Sequence, residues 1–213
     1  MPKPQKTMLT SRDWAEAALD AIGQRGVEGV AVEPIARDLG VTKGSFYWHF
    51  ANREALLVAA LQLWEARETD DVLERVRQET DPRARIQRLI TEVNASRRAS
   101  RIHTALSSAT KPGFVRDYVE RVSKRRLDFI QDCYAGLGLG AETARRWALM
   151  TFSVFLGALQ IRRDLPGEWP AADEPAFGDY VKFLMVTLVP PGLDGDDAAT
   201  TDAAPAGAAA RDG

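Results

Sequence analysis

Residues 32–57 read VEPIARDLGVTKGSFYWHFANREALL, and the fold turns on how this stretch is punctuated. Pro34 suits the first turn of a short helix, where its missing N–H is harmless, and Ile35, Ala36 and Leu39 then face inward. LGVTKGS, residues 39–45, is a tight turn between two short helices: Gly40 relaxes the backbone, Val41 plugs the gap and Thr42 caps the second of them. That second helix, 43–49, is very short. Asn52 opens another, with Glu54 in its first turn and Leu56, Leu57, Ala60, Leu61 and Trp64 on its inner side. Its expected length of about 20 residues or more would link one helical unit to a second.

Helical periodicity continues on both sides of this stretch. Thr10 or Ser11 caps a first helix that carries Asp13 in its first turn and Trp14, Ala17, Ala18, Ala21 and Ile22 on one face; Gly26 and Gly29 end it. Downstream, Pro82 starts a stripe of Ile86, Leu89, Ile90 and Val93, and residues 102–109 form a short helix stopped before Pro112. A long helix runs from Phe114 through Tyr118, Val122, Phe129, Cys133 and Leu137, broken by GLGLG at 136–140. Residues 142–163 form the most apolar helix, with Arg162 and Arg163 at its negative end. The Pro-rich stretch 165–175 is a loop, and a last helix spans about 176–189. From Pro190 onward almost nothing is available for burial, so disorder is expected there. No segment alternates as a strand does. The fold class is all-α, divided into 1–56, 57–190 and a tail, 191–213.

Composition narrows the function classes. Hydrophobic residues make up 45% and charged residues 27%, as in a folded soluble chain. The net charge of -2 gives no long-range pull on nucleic acid, and residues 1–56 hold seven Lys or Arg against seven Asp or Glu. Any nucleic-acid grip must therefore come from arranged charge. Cys133 is the only cysteine, which excludes an intrachain disulfide and fits the reducing cytoplasm. No apolar run is long enough to span a membrane, and none resembles a signal peptide.

The run quoted above closely resembles the N-terminal motif of the tetracycline-repressor (TetR) family, over residues 10–62 with the preceding helix included. The resemblance implies a three-helix DNA-binding domain of helix-turn-helix type, joined by a fourth helix to a larger helical domain that binds ligand and dimerises through its last two long helices. Carried over by position, Thr42, Lys43, Gly44, Ser45, Tyr47 and Trp48 match the exposed part of the recognition helix, and Phe46 and Phe50 match inward positions. Arg53 falls where the family commonly has a lysine beside the DNA backbone. Chemistry gives these roles independent sense. Gly44 allows close approach, Lys43, Arg53 and Tyr47 suit phosphates, and Thr42 or Ser45 suit base edges or thymine methyls. Trp48 departs from the family pattern, and either stacks on sugar and backbone or packs against the fourth helix. Glu33 and Pro34 depart from the Thr-rich opening usual for the second helix.

The implied function is a ligand-responsive transcriptional regulator, a repressor released from a palindromic operator in double-stranded DNA by a small apolar or aromatic effector. A constitutive or ligand-activated DNA-binding protein, and then a helical enzyme, are the alternatives. No nucleophile–base set and no phosphate-binding glycine loop is visible, and His49 and His103 lack the partners of a metal site, so neither catalytic residues, metal nor cofactor is expected. Pocket candidates are His103, Phe114, Tyr118, Tyr134, Trp147 and Phe152. The homodimer seam is expected at Leu156, Leu159, Val181, Leu184 and Leu188. The basic clusters at 97–101 and 124–126 are expected to be solvated helix surface; an arginine turned inward would favour an acidic ligand.

Overall fold

The computed structural model describes residues 9–94, 96–109, 113–170, 174–189 and 191–193; Pro112, Pro190 and most of the expected tail lie outside the described residues. Among the described residues every regular element is helical. Helix α1 (Ser11–Arg25) opens with a capping box in which Thr10 and Asp13 bond each other's backbone, and ends at Gly26. A 3₁₀ turn, Val27–Gly29, leads to α2 (Val32–Asp38). This helix begins two residues before Pro34 and has no side-chain cap, so Pro34 sits within the first turn, where its N–H is still dispensable. Gly40, at φ +68°, makes the turn a side chain would strain. Helix α3 is one turn only, Lys43–Phe46, shorter than the expected 43–49, and the Thr42 side chain does not cap it.

Asn52 caps α4 (Arg53–Glu65) by accepting from the Ala55 N–H. Without a break the chain then passes through a π turn, Ala66–Asp70, into α5 (Asp71–Arg77), which accounts for the long helical pattern read from Asn52. Helices α6 (Pro82–Asn94), α7 (Arg97–Ser107), α8 (Phe114–Ala135), α9 (Ala141–Asp164) and α10 (Pro175–Leu188) complete the chain.

Two apolar clusters hold these helices, and the first does not divide at residue 56. Trp14 and Ile22 of α1, Ile35 of α2 and Phe46 of α3 share it with Leu57, Leu61 and Trp64 of α4, Ile102 and Leu106 of α7 and Val122 of α8. Helix α4 is thus core shared by the N-terminal helices and by α7 and α8. At Gly23 helices α1 and α7 meet so closely that an added Cβ would stand 3.2 Å from the Ile102 side chain. The second cluster joins Val76, Ile86, Leu89, Phe129, Cys133, Tyr134, Ala148, Leu184 and Leu188. Burial pushes the Cys133 thiol up to about 12, which makes it inert filler.

Candidate functional site

The apolar side of α3 fixes which residues face out. Phe46 is fully buried, edge-on to Trp14 at 5.4 Å and stacked on Phe50 at 5.7 Å, so it anchors the turn to α1. His49 reaches the start of α1, with Nδ1 3.4 Å from the Ser11 hydroxyl, a structural contact at the end of the motif. Thr42, Lys43 and Gly44 are consequently exposed and Ser45 is half-exposed. Tyr47 is 60% and Trp48 89% exposed. Trp48 therefore does not pack against α4; a solvated indole of that size suits stacking on a partner. A Cβ on Gly44 would meet only the Thr42 hydroxyl, at 3.6 Å, so no close contact among the described residues calls for glycine there.

The two expected phosphate cations are not free. Lys43 Nζ donates to Glu33 Oε1 at 2.7 Å, an exposed ion pair that holds Glu33 below and Lys43 above its usual range, through that hydrogen bond first. Arg53 also has partners within the chain. Its Nε donates to Val30 O at 2.6 Å and an Nη to Val27 O at 2.7 Å, so the guanidinium closes the open backbone between α1 and α2. Neither partner is legible in the sequence: carbonyl acceptors have no side-chain pattern, and Glu33 reads only as a first-turn acid.

The second site is an interior cavity of about 90 Å³ bounded by Trp64, the π turn and helices α5 to α10. Of the six pocket candidates His103 and Phe152 line it. Phe114 instead lines an open groove of about 1020 Å³ between α1 and α7–α9 that shares Asn94 and Ser100 with the cavity wall. Tyr118 donates to Glu65 at 2.6 Å. Tyr134 is core: its hydroxyl bonds Thr151 at 2.7 Å and Leu188 O at 2.9 Å, with Trp147 stacked on its ring.

Arg126 corrects the expectation of a solvated basic cluster. Its guanidinium lies inside, 4.9 Å over the Trp64 ring, bonded to Thr69 Oγ1, Glu68 O and His103 Nδ1. Burial, the largest influence, lowers its pKa to about 10 and that of His103 to about 3. A signal for this existed, since residue 126 falls four after Val122 and three before Phe129 on the apolar stripe of α8. The neighbouring Arg121 and Arg125 converge instead on Glu65, at 2.7 and 2.8 Å.

The seam residues divide as well. Leu159, Leu184 and Leu188 are buried within the protomer, Val181 is half-buried, and Leu156 is exposed. Outward apolar side chains on these helices are Leu149, Met150, Leu156 and Ile161 of α9 and Phe183 and Val186 of α10.

A helix-turn-helix with an outward aromatic tip, set on a helical unit with a cavity, is the architecture of a DNA-binding regulator. Residues 15–60 match the family described as bacterial regulatory proteins, tetR family. The chain is 33% identical over 149 residues to the HTH-type transcriptional regulator TtgR of Pseudomonas putida, covering 67% of this chain and 69% of that one. It is 29% identical over 205 residues to the class A tetracycline repressor of Escherichia coli, covering 93% and 86% respectively. The fold is also that of AibR solved with isovaleryl coenzyme A and operator DNA, at TM-score 0.64, 24% identity and coverage of 85% and 98%. The chain belongs to the TetR family of transcriptional regulators. Among the described residues no helix is long and apolar enough to cross a membrane.

Proposed function

We propose that this regulator is a cytoplasmic homodimeric repressor that holds a palindromic operator through Thr42, Lys43, Gly44, Ser45, Tyr47 and Trp48, and that a small effector in the interior cavity releases it. The observation that carries this reading is α4. It starts beside the recognition turn at Arg53, contributes Leu57 and Leu61 to the N-terminal core, and ends at Trp64 and Glu65, with Trp64 forming cavity wall. A change at the cavity is thereby applied to the DNA-binding unit through about 20 Å of rigid helix. Release requires the effector to prefer an arrangement whose recognition helices miss successive major grooves, roughly 34 Å apart, and DNA then disfavours the effector by the same factor. A thousandfold loss of operator affinity corresponds to about 4 kcal/mol of coupling. AibR, a protein of this fold, has been solved in complex with isovaleryl coenzyme A and operator DNA.

The test is selection of bound sequences from random duplexes, followed by titration of the selected site with compounds that stabilise the protein thermally. A two-fold symmetric site whose affinity falls with a stabilising compound is expected. Recovery of no symmetric site removes the palindrome, and a compound that binds the cavity without weakening DNA binding removes release.

A further inference from the structure

The polar end of the cavity is built around a cation that shares no hydrogen bond with a carboxylate among the described residues. Arg126 enters from α8 and forms no ion pair among the described residues. Its four hydrogen bonds go to Thr69 Oγ1 (twice), Glu68 O and His103 Nδ1, all uncharged acceptors, which leaves one N–H of the guanidinium's five. Because arginine only donates, His103 Nδ1 must accept, and the imidazole proton is placed on Nε2. That Nε2 is buried and has no hydrogen-bond partner. Two carboxylates also border the cavity. Glu92 is taken by Arg75 and Arg88, at 3.0 and 2.9 Å. Glu68 makes no ion pair among the described residues; burial raises its pKa, and the charges of Arg126, Arg98, Arg67 and Arg75 oppose that rise. A guanidinium without an ion pair among the described residues, beside an orphan donor at the polar end of a mostly apolar cavity, is an arrangement a bound anion would relieve.

We infer that the effector is a small apolar monocarboxylic acid whose carboxylate accepts from Arg126 and from His103 Nε2 while its hydrocarbon part lies against Val72, Leu89, Phe129, Phe152 and Leu184. This rests on the effector reading above and narrows it to one chemical class. The chamber's volume is several times the 10–15 Å³ that houses one water, which suits a short acid rather than a bulky one. The same site contains a route to DNA. Arg126 is bonded to Thr69 and to the Glu68 carbonyl, both in the π turn that continues α4, so a carboxylate drawing the guanidinium toward itself pulls on the end of that helix.

The experiment uses the full chain and four probes, hexanoate, benzoate and their neutral isosteres hexanamide and benzamide, with binding read by thermal shift and calorimetry. The acids are expected to bind at least roughly tenfold tighter than the amides, the size of one charge-assisted bond, and to weaken the selected operator complex. Arg126→Met should erase the preference for acid over amide. Should that variant not fold, His103→Phe, which keeps the charge and removes the orphan donor, should weaken acid binding severalfold. Amides binding as tightly as acids, no binding by either acid, or an unchanged preference in a folded variant would each overturn the carboxylate assignment. Amides that bind and release DNA would do so while leaving the effector reading intact. Acids that bind through Arg126 without changing operator affinity would support the site and sink the effector reading.

Discussion

Lys43 Nζ and Glu33 Oε1 stand 2.7 Å apart, one on α3 and the other on α2, so the cation nearest the recognition surface is already paired with a carboxylate. A phosphate must compete with Glu33 for it. Glu33→Gln should therefore strengthen binding to all duplexes and raise the salt slope by about one ion per subunit, because Lys43 is freed to displace a counterion. Affinities measured at several salt concentrations decide this. An unchanged affinity and slope would remove Lys43 from the phosphate contacts.

Arg53 and Trp48 should behave as opposites. Arg53→Ala removes two charge-assisted bonds to Val27 O and Val30 O and should lower stability by about 1.5–3 kcal/mol, while the salt slope of the folded fraction stays the same. Trp48→Ala changes a side chain that is 89% exposed and should leave stability within about 0.5 kcal/mol yet weaken DNA binding. Denaturant titration beside duplex titration separates the two. A lower slope in the Arg53 variant would restore it to the DNA contacts.

What the sequence makes legible depends on where the information lies. Leu56 and Leu57 announce themselves by period, Phe46 and Phe50 by the family resemblance, and all four are buried. Asn52 and Thr10 declare helix starts because a cap is a local contact between a side chain and N–H groups three residues away. Leu184 and Leu188 read as seam because periodicity marks an apolar face without saying what covers it, and the cover proves to be the protomer's own core. Arg126 escapes notice for the converse reason. Charge in a run of three reads as surface, whereas the partners of Arg125 and Arg126, Glu65 for one and the π turn for the other, lie 60 and 58 residues away.

The Glu65 cluster supplies a pH dependence. Bonds from Arg121 first, then Tyr118 and Arg125, hold the Glu65 carboxyl at about 2, against an ordinary 4.5. Since the folded pKa is depressed, the associated stability is fully present above about pH 4.5 and is lost as pH falls toward 2. Because Arg121 and Arg125 reach solvent, the contribution is on the order of 2 kcal/mol. Glu65→Gln should be less stable at pH 7, with its difference from wild type shrinking below pH 4.5. Urea midpoints across this range test it; a constant difference would assign the loss to packing.

Association should rest on the outward faces of α9 and α10, and residues of the two kinds make this testable. Phe183 and Val186 are each 65% exposed and lie three apart on α10, so they share one face; Leu149 and Leu156 are seven apart on α9 and share another. Exposed apolar side chains grouped on a helix face are of a kind a soluble monomer rarely leaves open, and an obligate helical dimer commonly buries more than about 2,000 Å² in total. Leu184, by contrast, is buried within its own chain and borders the cavity. Phe183→Arg should give a monomer of unchanged helix content, because the new charge is solvated in the separated protomer. Leu184→Arg should lose helix content and stability whatever the concentration, because its charge is forced into a core. Sedimentation velocity over a range of concentrations, read beside circular dichroism, distinguishes them. The monomeric variant should also lose the symmetric DNA site, since one recognition helix then binds without its partner. A Phe183→Arg protein that sediments as wild type would place the seam on another surface.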